Sequence, residues 1–437
     1  MVCSDRIKTF DLEWMFNVNN GFDVVIGNPP YINVELVSSS QKKVYKEHYT
    51  TIYKRYDIFG LFFEASLLRY TCDSGKVAFI VPQQIANNLS YKKLRNLMLD
   101  NAWIREILYL GDDVFEGPNN DVCVIILSKP SCQNIRLVYA LDFANRQTSV
   151  ISNDYFKQYG NVISFGNNMK GETIFEKIFT KDRKKIKDDF TVFQGIVTGN
   201  NDAFIPTAQQ ITEAKIEQDL LHTVLLGRDF EKWTIRNTGR KIIYATGNTD
   251  LSLAPNTKKW LHNFKSQLMK RRECKNGTIP WHSLQWPRVQ KDLDCTSKII
   301  IQRTRNPRLS TRIVASIEDE GHYGMESIIF LIRKTPNAPI YFLLAILNSK
   351  LINYLYATKF LNVAIKAEYL KDTPIPIVSE QDENDLSDLA RRVLAAKKAD
   401  PSVDTLALES EIDSIVYRLY GLTTEEIAIV EDLFKKK

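Results

Sequence analysis

The six cysteines, Cys3, Cys72, Cys123, Cys132, Cys274 and Cys295, include no CxxC pair, and the five histidines form no HExxH motif or His/Cys cluster. No structural zinc or other metal site is therefore expected, and the thiols read as reduced. No apolar run approaches the roughly 20 residues of a membrane helix, and "MVCSDRIKTF" lacks the apolar core of a signal peptide. A cytoplasmic protein without a membrane partner is the expectation. Strong charge of one sign is also missing: a net +6 over 437 residues is weak evidence of a nucleic-acid partner. There is no internal repeat, and no Gly-rich loop precedes Gly21.

What is present describes a globular chain, with 44% hydrophobic and 25% charged residues. Length alone suggests about three domains. From Phe22 to Lys129 strands alternate with helices. "FDVVIG" reads as a strand buried on both faces, "YDIFGLFFEASLLRYT" as a helix stopped by Asp73-Ser74-Gly75, and "KVAFIVP" as a second buried strand. "SYKKLRNLMLDN" reads as a helix with Ser90 at its N-cap, followed by the strands "IREILYLG" and "DVCVIILS". These are too few units for a complete doubly wound domain. Residues 1–135 are thus expected to be the second half of one, 136–189 a connector, 190–378 a mixed α+β domain and 379–437 a helical tail. In that tail Thr423 and Glu426 form a capping-box candidate.

The turn "NPPY" ends the first strand. Pro29 and Pro30 stiffen it, and it lies at the carboxyl end of a parallel-type strand, where open α/β sheets bind ligands. The Asn28 side-chain oxygen and the Pro29 carbonyl are two acceptors that could take both hydrogens of a planar amino group. Held that way, the nitrogen lone pair localises and the amine becomes a better nucleophile. Tyr31 could stack on the flat group. An isolated Asn-Pro-Pro would be no more than a turn.

"FDVVIGNPPY", "YDIFGLFFEASLL", "GKVAFIVPQQI", "SYKKLRNLML" and "VFEGPNNDVCVIIL", in this order, resemble the catalytic domain of adenine-specific DNA methyltransferases of restriction-modification systems, the Taq-type and Type IIG branch. "GIVTGNNDAFI", "LLGRDFEKW", "AILNSKLINYLY" and "YLKDTPIPI" are similar to the target-recognition domain of the same family. The resemblance covers nearly the whole chain. It implies a partial Rossmann-like methyltransferase sheet, S-adenosylmethionine as cofactor and double-stranded DNA as partner. By position, Asn28, Pro29, Pro30 and Tyr31 become the catalytic loop, and Phe115 the aromatic that closes the other face of a flipped base. Asp11 is the acid that could approach the cofactor, a local helix or turn residue being the alternative.

The family's first cofactor motifs have no counterpart before Gly21, and Gly195, Gly199, Gly227 and Gly239 read as turns. The chain is accordingly expected to be a fragment of a longer reading frame, one subunit of a split enzyme with a separate N-terminal half or nuclease subunit, or a remnant. Base recognition is expected from residues 190 to 375, where "KSQLMKRRECKNG" and "QRTRNPRLSTR" gather Lys270, Arg271, Arg272, Arg303, Arg305 and Arg308. Each of these also fits a solvated basic face. The competing readings are a DNA-binding module that no longer catalyses and a protein glutamine methyltransferase, which shares the tetrapeptide but needs no long basic region.

Overall fold

The computed structural model describes residues 12–86, 88–111, 122–129, 137–142, 147–152, 169–180, 183–236, 238–306, 309–360 and 363–435. The chain divides into two compact units, one of residues 1–173 with 358–362 and one of residues 174–357 with 363–437.

The first unit is built on a six-stranded sheet. Its strands are β1 Phe22–Gly27, β2 Thr71–Pro82, β3 Trp103–Gly111, β4 Val122–Ser128, β5 Leu137–Asp142 and β6 Gln147–Ser152, in spatial order β1-β2-β4-β3-β5-β6. The pairs β1–β2 and β3–β5 are parallel, whereas β4 runs antiparallel to both β2 and β3. The sheet is therefore mixed rather than wholly of the crossover type, because β4 returns beside β3 and inserts between it and β2. Residues 137–142 and 147–152, read from sequence as connector, extend this same sheet.

Its helices are α1 Leu12–Phe16, α2 Ser39–His48, α3 Phe59–Ala65 and α4 Lys92–Asn101. α3 is buried almost throughout, and it ends in a π-helical turn, Ser66–Tyr70, not at Asp73-Ser74-Gly75. That tripeptide lies inside β2, where the register against β1 slips between Phe22 and Val24. A bulge absorbs turn-forming residues that would otherwise break the strand. Ser90 does not cap α4. A 3-10 turn over Leu89–Tyr91 precedes the helix, Asn88 Oδ1 accepts from the Ser90 amide, and Tyr91 takes the cap position.

β1 is the sheet's edge. Its Val24 and Ile26 are 57% and 79% exposed, contrary to the doubly buried strand read from the sequence. Trp14, Met15 and Phe16 of α1 are exposed as well, with Phe16 set edge-on to Phe22 at 5.6 Å. Sheet edges of this apolar character are normally covered.

The second unit holds an antiparallel sheet in the order Ala315–Glu318, Lys298–Gln302, Ile328–Arg333, Phe190–Gln194. A smaller sheet pairs Leu221–Leu225 with Lys241–Ile243 and Tyr323–Gly324. Its core includes Phe204, Val224, Ile243, Leu261, Ile300 and Phe330. Toward the C-terminus the buried helix Ile340–Asn348 packs with Glu380–Ala399 and Leu406–Tyr420. The expected capping box is present: the Thr423 amide donates to Glu426 Oε2 at 2.7 Å and the Glu426 amide to Thr423 Oγ1 at 3.3 Å. Among the described residues no single helix is long and apolar enough to cross a membrane.

Candidate functional site

The turn Asn28–Tyr31 leaves the carboxyl end of β1. Pro29 is buried and anchors it, while Asn28 and Pro30 are exposed. The Asn28 side chain has no hydrogen-bond partner among the described residues, so its acceptor oxygen and both donors are available. Tyr31 is fixed at two points. Its hydroxyl donates to the Ile80 carbonyl at 3.0 Å, and its ring meets the Phe59 ring edge-on at 6.2 Å. Burial, then the nearby Cys123, pushes the phenol up to about 12, so it stays protonated as a donor.

A polar clamp missed from the sequence secures the far side of the turn. Asn33 Nδ2 donates to Asp57 Oδ1 at 2.8 Å, and the Tyr91 hydroxyl donates to Asp57 Oδ2. Backbone bonds run alongside, from the Val34 amide to the Tyr56 carbonyl at 3.0 Å and from the Ile58 amide to the Ile32 carbonyl at 2.9 Å. Burial, reinforced by the Asp57 charge, holds the Tyr91 phenol above its ordinary pKa, so it too remains a donor. Asp57 thus ties the catalytic-loop candidate to the start of α4. The only signal in the sequence was an acid placed just before the largely apolar helix α3.

Glu64 makes a second fastening. Buried in α3, it accepts from the backbone amides and hydroxyls of both Thr50 and Thr51, at 2.6 to 2.9 Å. Burial alone would raise its pKa, but these four donors outweigh it and hold the carboxyl below its usual value. Between the two fastenings lies a small cluster of Val34, Tyr56 and Leu61 with Tyr45, Tyr49 and Ile52.

The basic candidates fall into different environments. Lys270 and Arg272 are exposed. Arg271, between them, is buried, and its guanidinium donates to the carbonyls of Leu268, Thr198, Ser283 and Trp281 at 2.7 to 2.9 Å. It draws three loops together and has little left to offer a ligand. Gly199, at φ +74, is required beside it: a Cβ there would stand 2.6 Å from Arg271 Cδ. Arg303 and Arg305 are half-buried, Arg305 bonding the Thr311 carbonyl and Gln302 Oε1 at 2.9 and 2.6 Å. Arg288, not singled out from sequence, lies over the exposed Trp286 ring at 5.6 Å and bonds the Gly195 carbonyl. Its guanidinium pKa is lowered by burial and then by the charge of Arg303, which brings two basic segments together. Asp11, Phe115 and Arg308 lie outside the described residues.

Val24 and Ile26 of β1, the strand that leads into this turn, are exposed. Among the described residues no group of three or more His, Cys, Asp or Glu side chains is arranged to hold a metal ion.

Sheet, turn and second domain define a methyltransferase-type α/β unit followed in sequence by a specificity-type unit. Residues 3–115 match the Eco57I restriction-modification methylase family and residues 222–375 the TaqI-like C-terminal specificity domain, and the relatives of the chain are named type II restriction-modification methyltransferases. It is 26% identical over 95% of its length to RM.MjaORFECS2P of Methanocaldococcus jannaschii, named as a type II restriction enzyme and methyltransferase, and covers 33% of that protein. Type II methyltransferase M.BstVI of Geobacillus stearothermophilus is 24% identical over 94% of the chain, which covers 75% of it. In fold, 94% of the chain matches 56% of the Type IIL restriction-modification enzyme MmeI, solved in complex with DNA, with a TM-score of 0.65 at 15% identity. The family is one that uses S-adenosylmethionine.

Proposed function

We propose that this chain supplies the catalytic loop and the target-recognition part of a site-specific DNA methyltransferase that methylates the exocyclic amino group of a flipped adenine. The observation that carries the reading is the exposed amide of Asn28, without a hydrogen-bond partner among the described residues, in a turn stiffened by two prolines and held at Tyr31. Asn28 Oδ1 and the Pro29 carbonyl accept the two amino hydrogens. Drawing them toward two fixed acceptors localises the nitrogen lone pair, and pre-organisation means that little ordering remains to be done when the base arrives. S-adenosylmethionine, when bound, supplies the electrophilic methyl group. Tyr31, held at hydroxyl and edge, offers a ring face to the base, and Phe115 is assigned the opposite face. Stacking of roughly 1 to 3 kcal/mol per base offsets part of an unstacking cost of a few kcal/mol.

In the second unit the exposed Lys270 and Arg272, with Arg303 and Arg305, are proposed to meet DNA, and Arg271 to hold the loop of Lys270 and Arg272 in place. The open, apolar edge of β1 is proposed to receive a further strand from an N-terminal half, carried on a longer chain or a separate subunit. The same open edge favours a second reading, in which this chain is a DNA-binding module without catalysis. Methyl incorporation into duplex DNA, measured with and without a family-type N-terminal half and with Asn28→Ala as control, separates the two. Incorporation that needs Asn28 supports the enzyme. Duplex binding with no methylation after reconstitution would leave the module.

A further inference from the structure

The clamp around Asp57 carries charges that the proposed chemistry does not use. Lys54 lies three residues before Asp57, and Lys93 lies two residues after Tyr91, so each sits beside one end of the Asp57–Tyr91 bond. The two ammonium groups converge on the ring of Tyr53, with Lys54 Nζ 5.5 Å and Lys93 Nζ 6.0 Å from its centroid. Both lysines are exposed, as is Lys92. Among the described residues no acidic side chain lies within ion-pair distance of any of the three.

The ring attracts each ammonium group by about 0.5 to 1 kcal/mol at an exposed site, which seats both charges while leaving them without a counter-charge among the described residues. Lys54 is not relaxed, since its backbone adopts φ +51, a left-handed conformation that side-chain-bearing residues seldom hold unless their surroundings impose it. On α2, Lys43 and Lys46 add exposed positive charge that is likewise without an acidic partner among the described residues. The nearby cation that is paired, Arg55 with Glu35 at 3.0 Å, shows that acids in this segment can reach a base when placed to do so.

We infer that Lys54 and Lys93, seated over Tyr53 and joined by Lys92, form a contact for nucleic-acid backbone phosphates next to the catalytic turn. This inference rests on the function proposed above and adds to it a contact surface in the first unit, separate from the basic loops of the second. Its place is set by the clamp: Asn33, Asp57 and Tyr91 link the turn and the lysines through three side chains, so a strand held at one is indexed to the other. Phosphate contacts of this kind position a duplex without reading its sequence.

The test is the salt dependence of affinity for a fluorescent duplex pool of random sequence, measured on the full chain. For Lys54→Ala/Lys93→Ala the plot of log K against log salt should flatten by about 0.9 for each contact removed, equally across sequences. Lys54→Glu/Lys93→Glu should weaken binding further at low salt. If the alanine pair melts early, Lys54→Gln/Lys93→Gln, which keeps the side-chain stems, is read in its place. Wild-type binding with an unaltered slope in these variants would overturn the contact and leave the proposed function standing. Failure of the wild-type chain to bind the duplex at any salt concentration would overturn both.

Discussion

Asn28 and Arg271 are polar residues in turn-rich stretches, and the structure treats them in opposite ways. Asn28 is exposed and its amide meets nothing among the described residues. Arg271 is buried with its guanidinium shared among four carbonyls. A residue type announces which bonds it can make; only the fold decides whether they are already made. A functional candidate is therefore better judged by its unused bonding capacity than by its identity, and the two positions should separate cleanly when substituted.

Arg271→Ala should give the largest loss of stability. The carbonyls of Thr198, Leu268, Trp281 and Ser283 lose their donor, and the second unit should lose about 3 kcal/mol, read as a lower midpoint in chemical denaturation. Asn28→Ala should leave that midpoint where it is. A common effect of the two substitutions would break the contrast.

Glu64→Gln comes next. The wild-type carboxyl titrates lower in the folded state than unfolded, so its contribution is complete above the ordinary carboxylate range and fades as pH falls through the folded value. The amide places a donor against donors, so the variant should be less stable near neutral pH by about 2 kcal/mol. The gap should close in acid, and melting curves across pH would reveal it. A gap independent of pH would mean that Glu64 acts by packing alone.

The smallest effects belong to the exposed cations. Lys270→Ala and Arg272→Ala should each leave folding unchanged and lower duplex affinity by a few-fold, more at low salt than at high. An unchanged affinity for both would move the recognition surface toward Trp286, Arg288 and Arg303.

Much of this was legible in the sequence, and the parts that were not have identifiable reasons. Continuous apolar runs mark β2 and β4 because interior strands of a sheet cover much of both faces, and buried and half-buried residues follow one another along each run. The same rule misleads at β1, whose Val24 and Ile26 stand on an open edge: composition says that a strand wants burial, not whether it is buried. The turn Asn28–Tyr31 was readable because two prolines leave few alternatives. The Asp57–Tyr91 bond was not, since 34 positions separate its ends and neither residue type is unusual. Lys270, Arg271 and Arg272 look alike as a run, and burial of the middle one depends on carbonyls supplied from Thr198 and Ser283.

The central claim, that the turn after β1 holds an exocyclic amine, is tested most directly by the chemical identity of the product. Duplex DNA treated with the reconstituted enzyme and S-adenosylmethionine, digested to nucleosides and separated by mass spectrometry, should contain adenine methylated on its amino nitrogen, and Asn28→Ala should abolish it. A methyl group on a ring carbon, or an amino-methylated product formed equally well without Asn28, would contradict the account.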